Sequence, residues 1–221
     1  MSVSRLPLFP LPLVLFPGVP LPLHIFEPRY RQMLADCLEG DRRFGVIFRP
    51  EGTAEREIPA GHVGCVAHIE NSETLLDGRS NIIVVGMGRF ALERLVETTR
   101  LYFVGEVADY EDTPEPDDAA TTVAERVRSL FGRVGRAARA LADDMDPLPE
   151  LPDDIGLLSF AVASLIDLDP PTRQRLLVSR SPLARLRELD AMLAPAVESI
   201  ETRASVHERA KSNGHGPHAE A

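Results

Sequence analysis

A chain of 221 residues with 44% hydrophobic and 26% charged side chains has the composition of a globular protein, long enough for one sizeable domain or two small ones. Its net charge of −10 opposes long-range attraction to nucleic acid, and 5% aromatic content without tryptophan offers little for base stacking. The two cysteines, Cys37 and Cys65, sit among apolar neighbours and read as buried, reduced thiols of a cytoplasmic protein rather than a disulfide.

The first predicted elements are written in proline. From Leu6 to Phe26 no Asp, Glu, Lys or Arg occurs, which by hydropathy alone suggests a membrane span. Pro7, Pro10, Pro12, Pro17, Pro20 and Pro22 exclude one, because each costs a helix interior about 3 kcal/mol. They equally exclude a signal-peptide core, and no small-residue cleavage site follows. The segment must be extended backbone broken by a turn. Pro10 and Pro12 share one parity, as do Pro20 and Pro22, and alternate residues of a strand point their N–H groups to one side. Each short strand therefore pairs on one flank and remains an edge on the other. Pro17-Gly18 fits the centre of a type II turn. Glu27-Pro28 starts a helix whose apolar positions are Tyr30, Met33, Leu34, Cys37 and Leu38, with Gly40 as its stop.

Period-two segments follow at residues 44–48, 63–69, 82–85, 89–96 and 101–107, with Asp77-Gly78 as a hairpin turn. Acidic stretches at 106–118 and 143–154 lack the ligand spacing of a calcium loop and read as solvated linkers. Beyond the first, the period becomes helical. Val123, Val127, Leu130, Phe131, Val134, Ala138 and Leu141 form one stripe. Asp153-Asp154, Asp169-Pro170 and Ser181-Pro182 open three further helices, the last ending near Pro195. The expected organisation is α+β: a mostly antiparallel β-rich subdomain with one helix over 1–112, a helical bundle over 119–200, and a disordered tail over 201–221.

Phe16-Pro17-Gly18 and the run from Leu21 through Phe26-Glu27-Pro28-Arg29-Tyr30 resemble the opening of the Lon protease N-terminal domain family, in its small stand-alone bacterial form. Residues 64–69, 77–90, 102–107, 173–177 and Arg185-Leu186 continue the resemblance in order, over roughly residues 4–195. One departure lies at Gly86-Met87-Gly88-Arg89-Phe90, where many relatives carry a second basic residue before the Arg-Phe pair. The resemblance implies a PUA-like pseudobarrel followed by a helical bundle, and a role in substrate selection and self-association.

The chemistry of a full Lon protease finds no residues here. The only lysine is Lys211 in the polar tail, so a Ser–Lys dyad lacks its base, and no Gly-rich loop precedes a Lys-Ser/Thr pair. No enzyme, cofactor or metal is expected. His62, Cys65 and His68 have spacing three, but a strand sends Cys65 to the face opposite the histidines, while His207, His215 and His218 fall in the tail. Arg126, Arg128, Arg133, Arg136 and Arg139 make one helix basic, and the flanking acids offer nearer partners than phosphate.

The expected function is a non-catalytic, peptide-binding module, an adaptor or regulator in protein quality control. It would take unfolded or extended polypeptides, with a protease or chaperone as partner. Candidate contacts are Phe26, Arg29, Tyr30, Arg79 and Arg89, although Arg29 and Glu27 serve equally as a helix-start pair or as a peptide-terminus site. Two alternatives stand beside it: an RNA-binding PUA-like protein using the arginine helix, or a hydrolase using His24, His62 or His68.

Overall fold

The computed structural model describes residues 3–53 and 58–213; His215 and His218 lie outside them. Six strands and five helices follow in the order β1 (Val3–Leu11), β2 (Pro20–Ile25), α1 (Pro28–Glu39), β3 (Arg43–Phe48), β4 (Val63–Thr74), β5 (Ser80–Val96), β6 (Phe103–Asp109), α2 (Asp117–Ala142), α3 (Ile155–Leu165), α4 (Pro170–Val178) and α5 (Pro182–Asn213). The chain divides into two compact units. One comprises the chain up to Thr113 with Ala163–Arg180, the other Pro114–Val162 with the chain from Ser181 onward.

The first unit is built on a six-strand sheet in the order β2-β5-β4-β3-β1-β6, with a further pairing of β5 to β6. Strands β5, β4, β3, β1 and β6 are thereby hydrogen-bonded into a ring. The pairing of β1 with β3 is parallel and the remaining pairings are antiparallel. Local chemistry sets the turns. Phe16 C=O accepts from Val19 N–H at 3.2 Å across Pro17-Gly18, and Gly18 supplies the positive φ of 76° that a type II turn requires. Gly78, at φ 79°, turns β4 into β5. Pro28 opens α1, whose Tyr30, Met33, Leu34 and Cys37 are buried with Phe9, Ile25, Phe44 and Ile69. Each such side chain contributes about 1.5–3 kcal/mol by leaving water. A second cluster joins Leu8, Ile47, Phe90 and Leu92.

Where two strands were expected around Gly86 there is one, β5, seventeen residues long. Gly86 is needed for close approach, not as a break: its N–H donates to Val19 C=O and its C=O accepts from Gly18 N–H, so a Cβ there would strike the Phe16 carbonyl. The helical segment α4 also belongs to this unit rather than to a separate C-terminal half. Asp169 caps it by accepting from Thr172 N–H at 2.7 Å, and Gln174 Nε2 donates to Val63 C=O at 2.9 Å.

The second unit packs α2 against α5, with the start of α3 inside it. Arg185, 1% exposed, lies 4.1 Å above the Phe160 ring and donates to Ser159 Oγ at 2.7 Å. The acidic stretches are not free linkers. Glu115 accepts from Ser181 Oγ and from Leu183 N–H, and Arg128 gathers the carbonyls of Leu151, Pro152 and Asp153. Helix α5 departs most from expectation. It runs through Pro195 to Asn213, including residues 201–213 where disorder was expected, because its inner face continues with Val197 and Ala204 buried and Glu201 is clamped by Nε and Nη2 of Arg133.

Candidate functional site

Proline parity opens a seam in the first unit. Leu11 C=O accepts from Arg49 N–H at 2.9 Å, so Leu11 and Phe9 face β3 and Pro10 faces the opposite flank. On β2, Val19 C=O accepts from Gly86 N–H at 3.0 Å, so Leu21 and Leu23 face β5 while Pro20, Pro22 and His24 face away. One flank of β5 is covered by β4; the other is shared by β2 along residues 80–85 and β6 along residues 90–96. Likewise β6 covers β1 only as far as Leu8. Past that point β1 and β2 each keep an unpaired flank, on which Pro10, Pro20 and Pro22 carry no N–H and His24 carries one.

A cavity of about 230 Å³ lies in this seam, bordered by residues 9–12 of the first strand and its exit and by residues 23–26 of the second. Tyr30, 3% exposed, packs on Phe9 with ring centroids 4.2 Å apart. Phe26 stands at the rim, 58% exposed, stacked on His24 at 6.1 Å. Arg29 bridges to Glu27 at 2.8 Å and lies 4.5 Å above the Tyr30 ring. Arg49, leaving β3, also lines the cavity; one of its Nη atoms donates to Thr53 C=O, and its Nε is buried without a partner among the described residues. The result is an apolar slot with two guanidinium groups on its wall.

Of the five candidate residues, the fold brings Phe26, Arg29 and Tyr30 to this cavity and places Arg79 and Arg89 elsewhere. Arg79 closes the β4–β5 turn on Asp77, whose carboxyl it holds below the usual range by hydrogen bonding. Arg89 is buried, donating to the Leu177 and Ser179 carbonyls at 2.7 and 2.8 Å and to Asp112 at 2.5 Å. Arg49, Phe9 and Leu11 carry no sequence signal as site residues. Only the Pro10 parity marks the place.

A larger cavity of about 350 Å³, lined by Leu15, Phe16 and Leu165, has Arg173 as its charged group, but that guanidinium is spent on the Leu168 and Ile166 carbonyls. Most residues behind the alternative readings are engaged too, although His62 Nε2 is buried without a partner among the described residues. His24 Nδ1 lies 2.7 Å from Asn81 Oδ1 and His68 Nδ1 3.1 Å from Glu70. Burial holds His62 below its ordinary pKa, partly offset by a backbone hydrogen bond with Phe48. Both thiols are pushed up to about 12, chiefly by burial. On α2, Arg126 pairs with Asp190 and Arg133 with Glu201. Among the described residues, no helix is long and apolar enough to cross a membrane, and no three His, Cys, Asp or Glu side chains form a metal-sized group.

Residues 5–194 match the family model of the ATP-dependent protease La (LON) substrate-binding domain. The chain belongs to this family. It is 26% identical over 216 residues to the Lon protease of Methylocella silvestris, covering 89% of this chain and 25% of that protein. It is also 26% identical over 203 residues to Lon protease 2 of Herpetosiphon aurantiacus, covering 90% and 25%. The chain thus spans about a quarter of the length of these relatives. A crystal structure of a Lon N-terminal domain protein from Xanthomonas campestris superimposes with a TM-score of 0.59 at 28% identity, covering 85% of this chain and 98% of that one. The N-terminal domain of the Mycobacterium avium complex Lon protease shares the fold, with a TM-score of 0.64 at 17% identity over 86% of this chain and 98% of that one.

Proposed function

We propose that this Lon substrate-binding domain is a non-catalytic recognition module that holds unfolded or extended polypeptide in the seam between β1 and β2. The observation that carries the reading is the seam itself, apolar within, open at Phe26 and kept from closing by prolines, in a chain whose family is defined by substrate binding. In this reading the strand ring is a PUA-like pseudobarrel, α2 and α5 form the core of a helical bundle, and the module serves a protease or chaperone in the cytoplasm as adaptor or regulator, with self-association a further property.

The test is fluorescence anisotropy with a labelled, permanently unfolded polypeptide, titrated with the full chain and with Phe26→Ala. Phe26 is exposed, so its truncation leaves the core intact, unlike Tyr30→Ala, which removes a buried ring at a cost of about 3–5 kcal/mol. Weakened binding by a variant with an unchanged circular dichroism spectrum is the expected result. Undiminished binding would move the polypeptide off the seam.

A further inference from the structure

We infer that the seam is specific for the end of a polypeptide: a C-terminal residue with an apolar side chain, its free α-carboxylate taken by Arg49. The inference rests on the seam being the polypeptide site and names what that site selects.

Main-chain hydrogen bonding separates an end from a middle. At the cavity the unpaired flanks of β1 and β2 offer the carbonyls of Pro10 and His24, and the one strand N–H in register with them is that of His24, because Pro10 has none. An internal extended segment brings as many carbonyls as N–H groups. Its N–H groups would find those carbonyls, but its own carbonyl opposite Pro10 would lie desolvated without a donor, a loss of the kind that native structures avoid. A terminal residue presents its N–H to the same acceptors and ends in a carboxylate, which is suited to a guanidinium.

Arg49 is that guanidinium. Arg49 lines the cavity, and its Nε is buried with no partner among the described residues, so this guanidinium holds a donor whose hydrogen bond is unmet. A carboxylate matches the planar fork of Arg through two parallel bonds, whereas a neutral carboxamide offers one acceptor and no charge. Arg29 does not compete, since its charge is matched by Glu27 and its plane covers Tyr30. Size agrees: at about 230 Å³ the cavity falls below the range of about 300–1,000 Å³ that encloses a drug-sized ligand, and suits one side chain with its terminus. Phe9, Leu11, Phe26 and Tyr30 supply its apolar walls.

The experiment uses the full chain and three N-terminally fluorescein-labelled octapeptides of one sequence, read by anisotropy. One ends in leucine as the free acid and one in leucine amide; the third is the amide with glutamate at the penultimate position. The free acid is expected to bind at least about tenfold more tightly than the amide, and Arg49→Gln to abolish that ratio with an unchanged circular dichroism spectrum. Equal binding of acid and amide, with both weakened by Phe26→Ala, overturns terminal recognition and leaves the polypeptide site standing. Glutamate-amide binding as tight as the free acid overturns it in favour of an internal carboxylate. Failure of every peptide to bind, when the unfolded polypeptide of the preceding test binds through Phe26, also overturns it. Failure of both probes removes the seam as a polypeptide site.

Discussion

Replacing Arg89 with Met tests whether the first unit is held together by one buried guanidinium. The side chain is 3% exposed and reaches three acceptors: Leu177 and Ser179 carbonyls through Nη1, and Asp112 through Nη2. It also lies 5.1 Å above the ring of Tyr110, whose hydroxyl donates to Val178 C=O at 2.8 Å. Methionine keeps much of the volume and none of the donors. Two carbonyls near α4 lose their charged partner, at about 1–3 kcal/mol each, while Asp112, partly exposed, recovers water. The total falls at about 3–5 kcal/mol, the range for removing one member of a buried ion pair. Against a typical domain stability of about 5–15 kcal/mol this is a large fraction, yet one that leaves a folded population to measure. The assay is urea unfolding followed by near-UV circular dichroism. There is no tryptophan, and Tyr30, Tyr102 and Tyr110 all lie in the first unit, so the signal read in the tyrosine band, to the long-wavelength side of the bands of Phe131 and Phe160 in the second unit, reports the first unit. The midpoint should fall with the slope unchanged. A loss below about 1 kcal/mol would refute the reasoning, because it would mean that water replaces the guanidinium at no cost.

Stability should also fall as pH drops from about 7 towards 5. Burial lowers the His62 pKa from its ordinary value of about 6.5, so in that window the unfolded chain binds a proton that the folded chain refuses. Thermal melts of His62→Gln should show a flatter pH profile there, and an unchanged profile would assign the dependence to other groups; the carboxyls of Asp77, Asp169 and Glu201, held low by Arg79, Thr172 and Arg133, act at lower pH. Pro10→Val with Pro22→Val places donors on both unpaired flanks, and the double variant should associate with rising concentration in light scattering more than the parent chain does. A variant as monodisperse as the parent would show that the prolines do not guard the edge.

Much of the first unit is legible in short-range chemistry. Pro17-Gly18, Glu27-Pro28, Asp77-Gly78 and Asp169-Pro170 each fix a turn or a helix start through backbone torsion or a cap, and these need only neighbouring residues. What escapes the sequence depends on distant partners. Gly86 looks like a break and is a contact with the 16–19 turn. Pro195 looks like a helix end, yet α5 continues because α2 buries its far turns and Arg133 meets Glu201. Residues 163–180 read as part of a helical half, whereas Arg89 and Gln174 bind them to the strands. At the site, Phe26, Arg29 and Tyr30 were within reach because they adjoin a marked helix start. Arg49 was not, since its position beside them follows from the parallel pairing of β1 with β3, and parallel pairing leaves no local signature.

The prolines connect legibility to function by a single property, the missing N–H. A sheet closes when each strand offers donors and acceptors in alternation along its flank; remove the donors from two confronting flanks and the closure stops where they meet, whatever the hydrophobic demand beneath. The gap that remains keeps its carbonyls and only one strand N–H, that of His24, so its strand edges are richer in acceptors than in donors. Any polypeptide entering it must contribute N–H groups to the rim and satisfy its own oxygens elsewhere, and the groups within reach are the His24 N–H and the Arg49 guanidinium. In the proposed reading edge protection and ligand polarity are then the same constraint, and a sequence that relaxes one by substituting Pro10 must relax the other.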